Sequence, residues 1–434
     1  MVGAFSNIFK IPELKRRVLF SFLMLAVYRV GCAITVPGVN GALLKEMFRS
    51  QQGTIFGMIS LFSGGALENG SIFSLGIMPY VSASIILQLL TVVIPYLDRL
   101  SKEGEVGRRK ITQYTRYGTV ILSVFQGYMI AYGLENGMLG NGLVTNPGLS
   151  FRLMTMVTLA AGTSFIMWLG EQISERGIGN GISLIIFAGI IARMPSAIAK
   201  LFLDVWQQER RVLEIVPILV VMIVVVGLII FVERAQRKIP IQHAKRVVGR
   251  KIYGGASTFL PLRINSAGVI PPIFASSILM FPSTIAKFFT NPIMVGIAEQ
   301  LAPGRMAYNL IYVAMIIFFT YFYTAVTFNP VDVADNLKKS GAYIPGRRPG
   351  KPTADYIDRI LTRITFGGAC YLAAICVLPT ILITQFDVPF YFGGTSLLIV
   401  VGVALDTIQQ VESHMLTRHY DGFLGAKGKF KGRR

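Results

Sequence analysis

Apolar runs of about twenty residues recur along the chain, each closed by a polar, basic or glycine- and proline-bearing segment. Ten such runs cover residues 18–34, 72–94, 117–134, 153–170, 182–203, 213–232, 267–289, 307–328, 364–383 and 395–411. As a helix, each is long enough for a hydrocarbon core of roughly 30 Å. Lys15-Arg16-Arg17 ahead of the first run resembles the charged start of a signal peptide. No small-residue cleavage site follows, and Pro37-Gly38 closes the segment, so it reads as a retained first span.

One stretch breaks the pattern. Ile55-Phe56-Gly57-Met58-Ile59-Ser60-Leu61-Phe62 is apolar but short, and runs into Ser63-Gly64-Gly65 and polar Glu68-Asn69-Gly70 before the second full run begins. About eight helical residues reach only roughly 12 Å. Such a piece cannot span, and irregular backbone at membrane depth is tolerated only where protein covers it or it lines a wet cavity. A short re-entrant helix on a glycine hinge is expected there.

Ten spans divide into two sets of five, and the odd number turns the second set over relative to the first, as in an inverted repeat. The expected fold is therefore an all-α polytopic membrane protein of ten transmembrane helices in two inverted five-helix halves, 1–203 and 204–434, with the re-entrant helix before span 2. Lys and Arg gather on the side that carries both termini and the segments after spans 2, 4, 6 and 8, which puts both termini in the cytoplasm. Arg193, Lys200, Arg210 and Arg211, after span 5, fall on the opposite side.

Composition agrees: 53% of the 434 residues are hydrophobic, 15% are charged, and the mean hydropathy is +0.58. Cys32, Cys370 and Cys376 lie in apolar runs and His243, His414 and His419 in basic segments, so neither disulfides, a metal site nor a cofactor is expected. Within the spans the ionisable groups are Arg29, placed to snorkel outward, and Asp406, placed to face the cytoplasm or cap a neighbour. No phosphate-cradling glycine loop with a lysine is present. Energy for any transport must come from a partner.

Two cytoplasmic segments are long and basic. Residues 233–265 carry Arg237, Lys238, Arg250 and Lys251 among others, and 329–363 carry Arg347, Arg348 and Lys351. Attraction to anionic lipid headgroups explains such charge, at about 1 kcal/mol per basic residue. Docking to an acidic protein or to RNA phosphates explains it equally, since the charges sit on tight, glycine-bounded tips.

Rare glycine and proline words then occur in a telling order: Leu61-Phe62-Ser63-Gly64-Gly65, Leu75-Gly76-Ile77-Met78-Pro79-Tyr80, Gly177-Ile178-Gly179-Asn180-Gly181, Ala267-Gly268-Val269-Ile270-Pro271, Ala334-Asp335-Asn336-Leu337-Lys338 and Ile344-Pro345-Gly346. With them, nearly the whole chain resembles the bacterial branch of the SecY/Sec61-alpha family, the channel subunits of protein translocases. The resemblance implies a passive protein-conducting channel in the bacterial inner (plasma) membrane, not an enzyme. It implies the small membrane subunits SecE and SecG, the SecA ATPase motor, the ribosome, signal-sequence-bearing polypeptides and anionic lipids as partners.

By position, the resemblance makes 54–65 a plug, with Ile55, Phe56, Ile59, Leu61, Phe62, Ser63, Gly64 and Gly65. It makes Ile77, Val81, Ile182, Ile186, Ile273 and Ile399 an apolar pore ring, and assigns Ser82, Gln88, Gln126, Ser276 and Phe281 to a lateral gate. Polar groups among these could hydrogen-bond across the closed gate; ordinary helix packing accounts for the same residues. Arg237, Lys238, Arg250, Lys251, Arg347 and Arg348 become motor and ribosome docking residues. Val81 stands where Ile is frequent, and Pro272 doubles an expected proline. An ion-coupled solute transporter would share the inverted repeat but needs intramembrane carboxylates, and a membrane-embedded enzyme needs buried His, Asp or Ser clusters.

Overall fold

In the computed structural model the apolar runs become helices whose ends are set by proline and glycine. The structure describes residues 11–50, 60, 63–137, 142–196, 199, 212–243, 246–248, 251–253, 257–286, 296, 300, 305–386 and 394–425. The chain forms two compact units, residues 1–200 with 283–295 and 403–434, and residues 201–282 with 296–402.

The first unit opens with α1 (Pro12–Gly31), started by Pro12 in its first turn, then α2 (Gly41–Ser50). α3 (Met78–Val93) and α4 (Pro95–Lys102) meet at 101°. The cause lies at the joint: Pro95 pushes Ile94 out of the helical region, to φ −96° and ψ 114°. α5 (Glu105–Glu135) and α6 (Leu149–Arg176) form a long antiparallel pair. Gly127 lets them close, since a Cβ there would lie 3.3 Å from the Met156 carbonyl oxygen. Ion pairs pin both ends: Arg116 Nε to Glu171 Oε1 at 2.8 Å, and Arg152 to Glu135. α7 (Gly181–Ile191) is capped by Asn180, whose Oδ1 accepts from the Ile182 and Ser183 amides.

The second unit begins with α8 (Val212–Arg234) and an antiparallel region of β1 (Gln236–His243), β2 (Arg246–Val248), β3 (Lys251–Tyr253) and β4 (Ser257–Arg263). α9 (Ile270–Ala286), α10 (Met306–Thr327), α11 (Pro330–Lys339), β5 (Ala342–Tyr343), α12 (Lys351–Phe386) and α13 (Gly394–Gly425) follow. α9 and α13 each run from this unit into the first.

A helix overlaps each of the ten apolar runs. By length and composition, four helical stretches among the described residues can cross a membrane, or five if the bent α3–α4 pair is one span. The helix expected over 182–203 ends at Ile191, in a turn at Ala192 and Arg193. The expectation of helix alone also needs correcting, because the two basic segments build sheet.

Candidate functional site

Two places concentrate chemistry, one in each unit. The first is the stem that follows the short apolar piece. Ile55, Phe56, Ile59, Leu61 and Phe62 lie outside the described residues, whereas Ser60, Ser63, Gly64 and Gly65 are described and buried. The Gly65 amide donates to the Ser60 carbonyl at 2.9 Å, and Gly64 holds a φ of +64°. That six-residue closing bond over a left-handed glycine is how a helix is stopped sharply.

Three side chains seat this stem. The Tyr28 hydroxyl donates to the Ser63 carbonyl at 3.2 Å, and Arg29 Nη1 to the Gly64 carbonyl at 2.8 Å. Arg193 Nη2 donates to Ser60 Oγ at 3.1 Å and pairs with Glu68 Oε1, to which Ser60 Oγ also donates at 2.9 Å. Arg29 remains exposed overall while its guanidinium meets the buried Gly64 carbonyl. An arginine inside a span is costly, and finding such a partner offsets part of that cost. Below the stem, Tyr28 stacks on Phe73 with ring centroids 5.9 Å apart.

Arg193 and Glu68 were missed as site residues. The available signal was a cation on the poorly charged side and a glutamate three residues beyond Gly64-Gly65.

The Ile77 carbonyl, at the start of α3, accepts the Val81 amide at 3.1 Å, so these two share a face at the first turn. Both are buried, as is Ile186 in α7; Ile182, in the same helix, is half-buried. In the other unit Ile273 and Ile399 are buried in α9 and α13. Ser82, Gln88 and Gln126 are half-buried on α3 and α5. Gln88 Nε2 donates to Ser84 Oγ at 3.4 Å and Ser276 Oγ to the Ile273 carbonyl at 2.9 Å, each within its own helix. Phe281 lies on α9, with only its backbone described.

The second place is a basic platform. β1 pairs with β4 along seven residue pairs, Gln236 opposite Arg263 through Gln242 opposite Ser257, and on its other edge with β5. One sheet thus unites the two segments that were read as separate loops. Ile239 and Ile241 point inward while Arg237 and Lys238 stay exposed, an alternation legible in Lys238-Ile239-Pro240-Ile241-Gln242. Ile239, Leu262, Ile344 and Ile357 make the core beneath, with Ile357 fully buried.

Arg347 and Arg348 project from the turn after β5. The Arg347 guanidinium lies 4.9 Å from the Tyr356 ring centroid, and the Arg348 carbonyl accepts Thr353 Oγ1 at 2.7 Å. Lys251 starts β3, with its side chain undescribed, and Arg250 lies outside the described residues.

The family model described as SecY matches residues 71–408. The protein translocase subunit SecY of Escherichia coli (strain K12) is 52% identical over 424 residues, covering 97% of this chain and 96% of that one. The subunit of that name from Aquifex aeolicus (strain VF5) is 46% identical over 420 residues, covering 96% and 98%. Among solved structures, "The structure of a protein conducting channel" aligns at a TM-score of 0.67 and 18% identity, covering 94% of this chain and 96% of that one. Sec61 in the canine ribosome-channel complex from the endoplasmic reticulum aligns at 0.62 and 16%, covering 94% and 96%. At those identities the likeness is one of fold.

Proposed function

The chain belongs to the SecY family, and we infer from that premise how this polytopic membrane protein conducts polypeptides. It is a protein-conducting channel subunit and not an enzyme. The finer reading is ours: ten spans in two inverted halves, 1–203 and 204–434, set in the bacterial inner membrane with both termini cytoplasmic.

Ile77, Val81, Ile182, Ile186, Ile273 and Ile399 form the ring through which the chain passes. An apolar constriction sheds water and ions yet offers a sliding polypeptide no hydrogen bonds to break. Residues 54–65 seal the ring when it is empty. Transmembrane segments leave through a gate bearing Ser82, Gln88, Gln126, Ser276 and Phe281, of which Gln88 and Ser276 hydrogen-bond within their own helices. The exposed Arg237, Lys238, Arg347 and Arg348, with Arg250 and Lys251, receive the ribosome or the SecA motor, and anionic lipids. SecE and SecG complete the assembly. No cofactor is invoked.

One observation carries this reading beyond the family match: a stem of left-handed glycine, buried and held by two arginines, directly follows the short apolar segment. It is what a displaceable seal requires, a fixed root for a part that moves. The test is crosslinking of a precursor stalled midway, in a Cys370→Ser background because Cys370 is exposed while Cys32 and Cys376 are buried. Cysteines at Ile77, Ile186 and Ile399 should crosslink to it, and a cysteine at lipid-exposed Ile223 should not. Equal crosslinking at all four positions would refute the ring.

A further inference from the structure

We propose that Arg193 and Glu68 form a charge latch that sets how readily the sealing segment leaves its seat. The proposal rests on the reading that residues 54–65 seal a channel. Arg193 pairs with Glu68 and also donates to Ser60 Oγ at 3.1 Å, so one guanidinium holds both ends of the stem. Ser60 Oγ closes the triangle on Glu68 at 2.9 Å. The Gly65 position is pressed beneath the same guanidinium: a Cβ there would lie 3.3 Å from Arg193 Nε.

The latch is built to yield. Both side chains of the pair are 23% exposed, so water and salt reach them and the pair is far weaker than a fully buried one. Packing alone would hold a plug without any such weak point. Its placement also couples it to opening. Arg193 sits in the turn that ends α7, its amide donating to the Ile190 carbonyl at 3.2 Å, and α7 carries Ile182 and Ile186. Displacement of α7 that widens the ring would draw Arg193 off Glu68. Arg29, from α1, holds the Gly64 carbonyl independently, so the stem keeps one anchor when the latch parts.

The test measures substrate-free ion leak through the purified whole translocase complex in planar bilayers. Glu68→Gln and Arg193→Gln should each raise leak about fivefold, and the exchange Glu68→Arg with Arg193→Glu should return it to within about twofold of the parent. Arg193→Lys keeps the charge and should stay close to the parent, which preserves a readout if the exchange fails to fold. Removal of residues 54–65 should leak whatever stands at 68 and 193. Leak in the single variants that neither the exchange nor the lysine reduces overturns the latch, as do tight single variants beside a leaky deletion. A tight deletion overturns the sealing reading itself.

Discussion

Gly64 and Gly189 meet backbone to backbone. A Cβ built on Gly64 would lie 2.7 Å from the Gly189 Cα, and Gly64 is already at a φ of +64°. Gly64→Ala therefore meets two penalties, the left-handed conformation at about 1–2 kcal/mol and a contact with main chain that cannot swing aside. Its expected effect is a stem lifted from its seat, read as raised substrate-free ion leak. Gly189→Ala should act in the same direction. Leak unchanged in both would mean that the stem tolerates being lifted.

The basic platform stands on its small core. Ile357→Ala empties a fully buried site and should cost about 2–5 kcal/mol, loosening the sheet that joins β1, β4 and β5. Proteolysis around residues 257–263 and 344–350 should accelerate together, because Leu262 and Ile344 share that core. Arg237→Gln and Lys238→Gln, exposed on the same strand, should leave proteolysis unchanged and weaken partner binding. Digestion of one segment without the other would break the link.

Asn180 tests the loop between α6 and α7. Its Oδ1 accepts the Ile182 and Ser183 amides at 3.1 and 3.4 Å, while Ser21 Oγ receives the Ile178 amide at 3.0 Å and Gln410 Oε1 the Gly179 amide at 2.9 Å. Removing the cap with Asn180→Ala should cost about 1 kcal/mol, and Asn180→Asp should cost little. Thermal unfolding in detergent distinguishes them. Equal melting of all three proteins would show that the neighbouring bonds suffice.

What the sequence disclosed follows from how each feature is written in it. Apolar helices are written continuously, so the ten runs and the broken piece after Thr54 could be read directly, and Gly64-Gly65 marked a turn whose left-handed backbone only glycine adopts readily. The sheet was hidden because β5 has only two residues and its partner strand lies 101 positions away, at Gln242 and Tyr343. Only Ile239 and Ile241 betrayed it. The exposed Arg29 gave no sign of its partner because the acceptor at Gly64 is 35 residues distant. The Arg193–Glu68 pair escaped for the same reason: charge counting assigns each cation to a side and carries no record of its partner.

Glycine supplies the sharpest contrast between two positions in apolar helices. On α6, a Cβ at Gly162 would lie 2.1 Å from the Ile72 carbonyl oxygen and 3.3 Å from the Phe73 ring, so the helix can approach that backbone only because the side chain is missing. On α8, Gly227 has nothing within 4 Å of where its Cβ would stand. Gly162→Ala should therefore separate α6 from the 72–73 backbone, disturb the Tyr28–Phe73 and Phe73–Phe165 stacks, and lower the melting temperature. Gly227→Ala meets no such obstacle and gains helix propensity of up to about 1 kcal/mol, so it should melt at or above the parent. Both substitutions add the same methyl group to a membrane helix, so opposite signs would assign the difference to packing; a shared sign would show that propensity governs both and that α6 has room to shift.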